Sequence, residues 1–383
     1  MQGQSSSIFT SRLLRRTVLA AGLGAPLWLA RAQTSPDSAR LTQPPIALPP
    51  RTLVFPRDLG SHPDFAIEWW YITGHLRTGA QSGAREFGFQ LTFFRSRVAA
   101  TQGLRSAFAA KQLLFAHAAV TDVAGKKLLH DQRIARAGFD VAKASETDTA
   151  VTLRDWSLVR TNGHYQAQVK GDEFQFSLAL TETQPLLLQG NQGLSRKGPD
   201  PAQASYYYSL PQLKTTGNLK IGGQSWPVEG TAWLDHEWSQ ALMPPQAVGW
   251  DWIGMNLHNG SALTAFRLRD KTGQALWAGG SFRPGPAGGL APTRIFNSDE
   301  VQFTALRRWK SPLSQADYPV EWTVRTPGAT YTVKAVLDNQ ELDSRSSTGA
   351  IYWEGLSDLL DGQGQSVGRG YLEMTGYAQA LRL

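Results

Sequence analysis

The chain has 383 residues, 41% hydrophobic, 10% aromatic and only 18% charged, with 13 Trp and no Cys. This content excludes intrinsic disorder, and the missing Cys excludes disulfides, thiolate metal sites, Fe–S clusters and Cys nucleophiles. Lys+Arg 38 against Asp+Glu 31 gives a net charge of +7, a balance that would invite an anionic partner if it belonged to the folded protein.

Much of it belongs to the N-terminus. Arg12, Arg15 and Arg16 precede an uncharged stretch from Thr17 to Ala30, and Ala30-Arg31-Ala32 has the small-x-small form of a signal peptidase site. The apolar stretch is too short to span a membrane as a mature helix, and Gly22, Gly24 and Pro26 interrupt it. Residues 1–32 are therefore expected to be a signal peptide. Arg15-Arg16 followed by Thr17-Val18-Leu19 resembles a twin-arginine export signal, with a periplasmic or secreted product. Its removal takes four Arg and no acid, so 38 basic residues become 34 against 31 acidic, a mature charge of +3. Nucleic acid is not an expected partner.

Residues 33–51 carry Pro36, Pro44, Pro45, Pro49 and Pro50 and read as an extended linker. From about residue 52 the dominant signal is alternation of apolar and polar residues. Phe87, Phe89, Leu91 and Phe93 alternate with Gly88, Gln90 and Thr92; Phe174, Phe176, Leu178 and Leu180 alternate with Gln175, Ser177 and Ala179. Further strands are expected at 65–76, 113–122, 151–159, 164–170, 206–221, 227–237, 248–258, 261–269, 274–283, 300–308, 318–326, 330–337, 349–354 and 367–378. Turns such as Asn162-Gly163, His258-Asn259-Gly260 and Thr272-Gly273 separate several of them. No long segment has helical periodicity, so the expected class is all-β, with antiparallel sheets closed into barrels or sandwiches. A faint duplication aligns Gly230–Trp238 with Gly368–Gly376, and Glu68–Ile72 with Gly249–Ile253. It predicts two related barrels, 52–241 and 242–383, divided near Met243-Pro244-Pro245.

Several chemistries lack their motif. His236-Glu237-Trp238-Ser239-Gln240 has Gln where a zinc-protease helix needs a second His. The seven His include no close pair, and Gly193-Leu194-Ser195-Arg196-Lys197 is not a nucleophile elbow. Gly362-Gln363-Gly364 lacks the third Gly of a dinucleotide loop, so neither cofactor nor metal is expected.

Alternation sorts the remaining polar residues by face. Ala232, Leu234, His236 and Trp238 share one side of their strand, while Trp233, Asp235 and Glu237 take the other. Asp251 falls with Ile253, Met255 and Leu257, opposite Trp250 and Trp252, and Glu68 shares its side with Trp70 and Ile72. A carboxyl in apolar surroundings has its pKa raised by desolvation and can serve as an acid. His236, Asp251 and Trp238 are therefore the candidate catalytic residues. Trp250, Trp252, Glu68 and Trp70 are the candidate ligand contacts, near a junction of the kind where pockets form. A buried His or acid paired inside a core is the competing reading of each.

The runs Phe55–His75, Tyr206-Tyr207-Tyr208-Ser209-Leu210-Pro211, Gly230–Ser239 and Gly249-Trp250-Asp251-Trp252-Ile253 resemble the AttH/CrtC lipocalin-like family over roughly residues 52–380. That family contains carotenoid 1,2-hydratases and exported proteins associated with ABC transport genes. The resemblance implies two consecutive lipocalin-like β-barrels. It also implies either a non-catalytic carrier of a long apolar ligand, a lipid or isoprenoid, working with a transporter permease, or a cofactor-independent hydratase or hydrolase. In the latter Asp251 would donate the proton, Trp238 and Trp250 would face the developing cation, and His236 would act as base or position water.

Overall fold

The computed structural model describes residues 47–79, 84–286 and 292–381; the expected signal peptide and most of the Pro-rich segment lie outside them. The described residues form two antiparallel sheets, as the alternation predicts. The first has thirteen strands: β1 (Ile67–Thr78), β2 (Glu86–Arg97), β3 (Gln112–Asp122), β4 (Lys127–Arg136), β5 (Ala142–Ala144), β6 (Ala150–Leu153), β7 (Trp156–Thr161), β8 (His164–Lys170), β9 (Phe174–Thr181), β10 (Leu187–Leu188), β11 (Leu194–Arg196), β12 (Ala204–Ile221) and β13 (Gln224–Ala241). The second has ten: β14 (Gly249–Leu257), β15 (Ala262–Arg269), β16 (Ala275–Arg283), β17 (Arg294–Phe296), β18 (Gln302–Lys310), β19 (Asp317–Thr326), β20 (Ala329–Ala335), β21 (Glu341–Ser344), β22 (Ala350–Leu360) and β23 (Ser366–Met374).

Sheet one runs β4-β3-β2-β1-β13-β12-β9-β8-β7-β6-β5 and curls until β4 approaches β6, leaving a nearly closed barrel. Arg133 of β4 bridges the gap, its guanidinium 4.8 Å from the Trp156 ring and donating to the Lys170 carbonyl at 3.3 Å. The barrel interior is filled by alternate residues of every long strand, among them Trp70, Ile72, Phe89, Leu91, Phe93, Leu178, Leu234 and Trp238. Sheet two has its own core around Ile253, Met255, Trp322, Trp353 and Leu372.

Positions aligned in the sequence have corresponding partners in the two sheets. Trp70 of β1 lies opposite His236 of β13, and the aligned Asp251 of β14 lies opposite Met374 of β23; likewise Tyr71 opposes Asp235, and Trp252 opposes Glu373. The faces that point away from the two cores meet each other. Tyr71, Trp233, Trp252, Phe266, Leu268, Leu356 and Tyr371 form a third apolar cluster that joins the sheets. A strand in this position is buried on both faces, so both of its side-chain sets must be apolar or partnered.

Leu356 is fully buried in this joint. Leu356→Ala should lower stability by about 2–5 kcal/mol through lost burial and the cavity left behind, read from the midpoint of a urea unfolding curve with unchanged slope.

Candidate functional site

Two polar constellations lie on opposite faces of the same strands. The first is inside barrel one. Glu68, fully buried on β1, receives Arg95 Nε at 2.7 Å, Ser61 Oγ at 2.8 Å, His62 Nδ1 at 2.7 Å and His236 Nε2 at 3.0 Å. His62 Nε2 reaches Asp58 at 2.9 Å, and Arg51 closes on the same Asp58 at 2.9 Å. Burial pushes the Glu68 carboxyl up, but the hydrogen bonds from His236 and His62 outweigh it and hold the group well below the usual carboxylate range. Asp58 behaves alike: burial raises it, and His62, the Val54 amide and Arg51 bring it down to about 2.

Both ring nitrogens of His62 face ionised carboxylates, which only accept, so both donate. Burial lowers His236 to about 4. Its neutral ring therefore donates from Nε2 to Glu68 and accepts at Nδ1 from the Tyr208 hydroxyl, 3.0 Å away. Trp238 stacks on His62 at 3.8 Å and Trp70 on His236 at 4.6 Å, so the imidazoles are packed between indoles. His62, Glu68 and His236 bring donor atoms within 4.8 Å of one another, the spacing of a metal site. Arg95 already neutralises Glu68 and both His62 nitrogens are committed to carboxylates, so the donor set fits a closed ionic cluster better than a divalent ion.

The second constellation lies between the sheets. A cavity of ≈ 290 Å³ is lined by Trp69, Tyr71, Phe94, Phe115, Trp250, Trp252 and Phe266, together with Asp235, Glu237, Glu354 and Glu373. Asp235 receives Ser209 Oγ at 2.5 Å, the Tyr207 hydroxyl at 2.6 Å and Trp233 Nε1 at 2.7 Å; burial nevertheless prevails and pushes it up to about 7. Glu373, the aligned residue of the second copy, receives Trp250 Nε1 at 3.0 Å; burial, with the nearby charges of Asp235 and Glu237, pushes it up to about 7 as well. Burial and the charge of Glu373 push Glu354 well up. Glu237 has a cation, Lys197 Nζ at 2.9 Å, which also lies 4.3 Å from the Phe266 ring.

The residues singled out in the sequence divide between these places. His236, Trp238, Glu68 and Trp70 meet in the barrel cluster, where only Glu68 also borders the cavity; Trp250 and Trp252 line the cavity. Asp251 joins neither. It points into the core of sheet two, and its expected apolar surroundings hold Arg267 Nε at 2.7 Å, Arg269 Nε at 3.5 Å and the Tyr377 hydroxyl at 2.8 Å. The face assignment holds, since Ile253 and Met255 share that core, but the acid is ion-paired and apart from His236. Asp235, Glu373, Glu354 and Tyr71 were not singled out. Their signal was the company they keep: Trp233 beside Asp235 and Trp69 beside Tyr71 mark the supposed outer face as buried too.

A family model described as AttH-like matches residues 46–377. The chain belongs to the AttH-like family. Among solved structures it is similar to an AttH-type protein of Nitrosomonas europaea, at 46% identity and TM-score 0.79, over 86% of this chain and 99% of that one. It is also similar to kievitone hydratase of Nectria haematococca, at 13% identity and TM-score 0.65, over 86% of this chain and 94% of that one. A third likeness is to CghA, at 13% identity and TM-score 0.51, over 82% and 88%. The last two show a shared fold alone. No curated protein matches the sequence.

Glu68→Gln should cost about 3–5 kcal/mol in a denaturant titration, because it leaves Arg95 and His62 buried without their anion. The barrel cluster also sets an acid dependence. His236 takes its proton at about 4 when folded against an ordinary 6.5, so the unfolded chain protonates first and stability is lost as pH falls from about 6.5 to about 4. Asp58 adds a loss between its ordinary 3.8 and about 2. Asp235 and Glu373 act oppositely, and the difference between wild type and His236→Gln cancels them. That difference should shrink from pH 6.5 to pH 4 as the wild type loses the histidine's contribution.

Proposed function

We propose that the protein binds a compact, mainly apolar molecule in the cleft between its sheets and adds water across a carbon–carbon double bond, or removes water to form one, by acid–base chemistry. The observation that carries this reading is the pair Asp235 and Glu373, each held near neutrality by burial in an aromatic cavity. Carboxyls are costly to bury, and carboxyls with pKa values perturbed by burial in a cleft cluster at functional sites. Asp235, with three donors on its oxygens, suits the base that takes a proton from water. Glu373, with one donor and acidic neighbours, suits the acid that protonates the other alkene carbon. The kievitone hydratase likeness supports the reading only in that this architecture accommodates a hydratase. The cavity lies near the lower end of small-molecule pockets, which favours a compact ligand over a full-length polyene.

The carrier reading uses the same cleft, and the apolar lining favours it. Export and a transporter permease as partner belong to that wider proposal. Exchange of Arg15 and Arg16 for Lys should leave the precursor in the cytoplasmic fraction, and unchanged export would remove the twin-arginine route.

Native mass spectrometry of protein purified from its own host should recover one apolar ligand. Incubating the extracted ligand with protein in water bearing heavy oxygen should yield a product that has gained one labelled water, with a rate maximum near pH 7. Asp235→Asn and Glu373→Gln should each lower that rate by about 10²–10⁴-fold. Ligand recovery with no labelled product would turn the reading to the carrier.

A further inference from the structure

On β2, β3 and β4 the side chains that point away from the barrel line up in two neighbouring rows. Phe94, Phe115 and Ile134 stand opposite one another in the first, and Ser96, Leu113 and Arg136 in the second. Phe94, Phe115 and Ser96 line the inter-sheet cavity, whereas Ile134, on the edge strand β4, is exposed. The first row therefore leads from the cavity to solvent over apolar side chains.

Beyond Arg136 the surface becomes aromatic. Its guanidinium lies 4.0 Å from the Phe139 ring and 5.6 Å from the Phe108 ring, and the two rings stack at 5.6 Å. They come from different connections, Phe108 from β2–β3 and Phe139 from β4–β5, and are 74% and 56% exposed. Leu104, in the first connection, is exposed as well. Single apolar side chains on a surface are ordinary, but a contiguous group of them marks a face that meets something apolar. The charge around them indicates what that is. Segments 97–111 and 134–143 contain Arg97, Arg105, Lys111, Arg136 and Lys143 against one acid, Asp140. Aromatic tips ringed by cations fit an anionic bilayer: the rings enter the headgroup boundary, and the long basic side chains reach the phosphates. Phe108 stands clear of the chain around it, the posture of a side chain that inserts.

We propose that this patch docks the protein on an anionic phospholipid membrane and sets the mouth of the cleft against it, so that the apolar ligand passes between bilayer and cleft along the Phe94–Phe115–Ile134 row. The passage of ligand rests on the cleft-binding reading above; the docking does not.

The chain contains no Cys, so one introduced Cys can carry an environment-sensitive fluorophore. Ala107→Cys places it beside Phe108, and Gln363→Cys places it at the β22–β23 turn, in protein purified from its own host. Vesicles containing phosphatidylglycerol should shift the emission of the first label to the blue and leave the second unchanged. Vesicles of phosphatidylcholine alone should bind about tenfold more weakly, and added salt should weaken docking. Phe108→Ala combined with Phe139→Ala should raise the half-saturating lipid concentration about tenfold, with near-UV circular dichroism confirming that the exposed substitutions leave the fold intact. No shift with either vesicle would overturn the docking and turn the patch to a protein partner. Equal shifts at both labels, or binding undiminished by the double variant, would overturn it too, because the attachment would then lie elsewhere on the chain. The vesicles carry no cleft ligand, so failure of the cleft reading and failure of the docking are read separately.

Discussion

The burial of β13 on both faces is the constraint from which the two polar constellations follow. Along 233–238 the side chains alternate, so Leu234, His236 and Trp238 enter the barrel while Trp233, Asp235 and Glu237 enter the joint between sheets. A strand with one wet face would leave Asp235 and Glu237 solvated and ordinary. Here sheet two covers that face, and the carboxyls are desolvated by the same packing that joins the two halves of the molecule.

The two constellations resolve the cost of burial in opposite ways. Inside the barrel, Asp58 and Glu68 are matched by Arg51, Arg95 and a doubly donating His62, and the acids stay ionised at the price of complete mutual dependence. Among the described residues of the cleft, Lys197 is the cation in ion-pair contact with the set Asp235, Glu237, Glu354 and Glu373. Charge cannot be balanced there by salt bridges, so protons balance it, and the acids that lack a cation are the ones pushed upward. In the first arrangement the acids are held by ion pairs and hydrogen bonds to Arg51, Arg95, His62 and His236. The second holds exchangeable protons beside empty apolar space, which is the condition acid–base chemistry needs.

Most of the fold was legible because half-buried strands announce themselves by alternation: 164–170 coincides with β8, and 249–257 falls within the expected 248–258. The strand β4 was missed. It is an edge strand, and its sequence Lys-Leu-Leu-His-Asp-Gln-Arg-Ile-Ala-Arg mixes charge into both faces because neither is fully covered. The expected 151–159 is two strands, since Arg154 adopts a positive φ and turns the chain between β6 and β7. At the site, alternation correctly put His236 with Trp238 and Glu68 with Trp70. What it could not carry was the third dimension: that Arg267 lies across from Asp251 on β15, and that the opposite face of β13 meets a second sheet.

The alignment of the two sheets accounts for what meets in the cleft. At the inward positions the copies diverge: Met374 stands where the first copy has His236, and Asp251 stands where it has Trp70, so the second core is closed by an aliphatic side chain and an Arg-paired acid. At the outward positions they agree in kind, with Tyr71 and Trp252 as aromatic walls and Asp235 and Glu373 as acids one strand over. Two copies joined through those faces bring two equivalent acids to one cavity. The charges of Asp235 and Glu237 help to raise Glu373, so an ionised acid on the first sheet makes ionisation of its counterpart on the second harder.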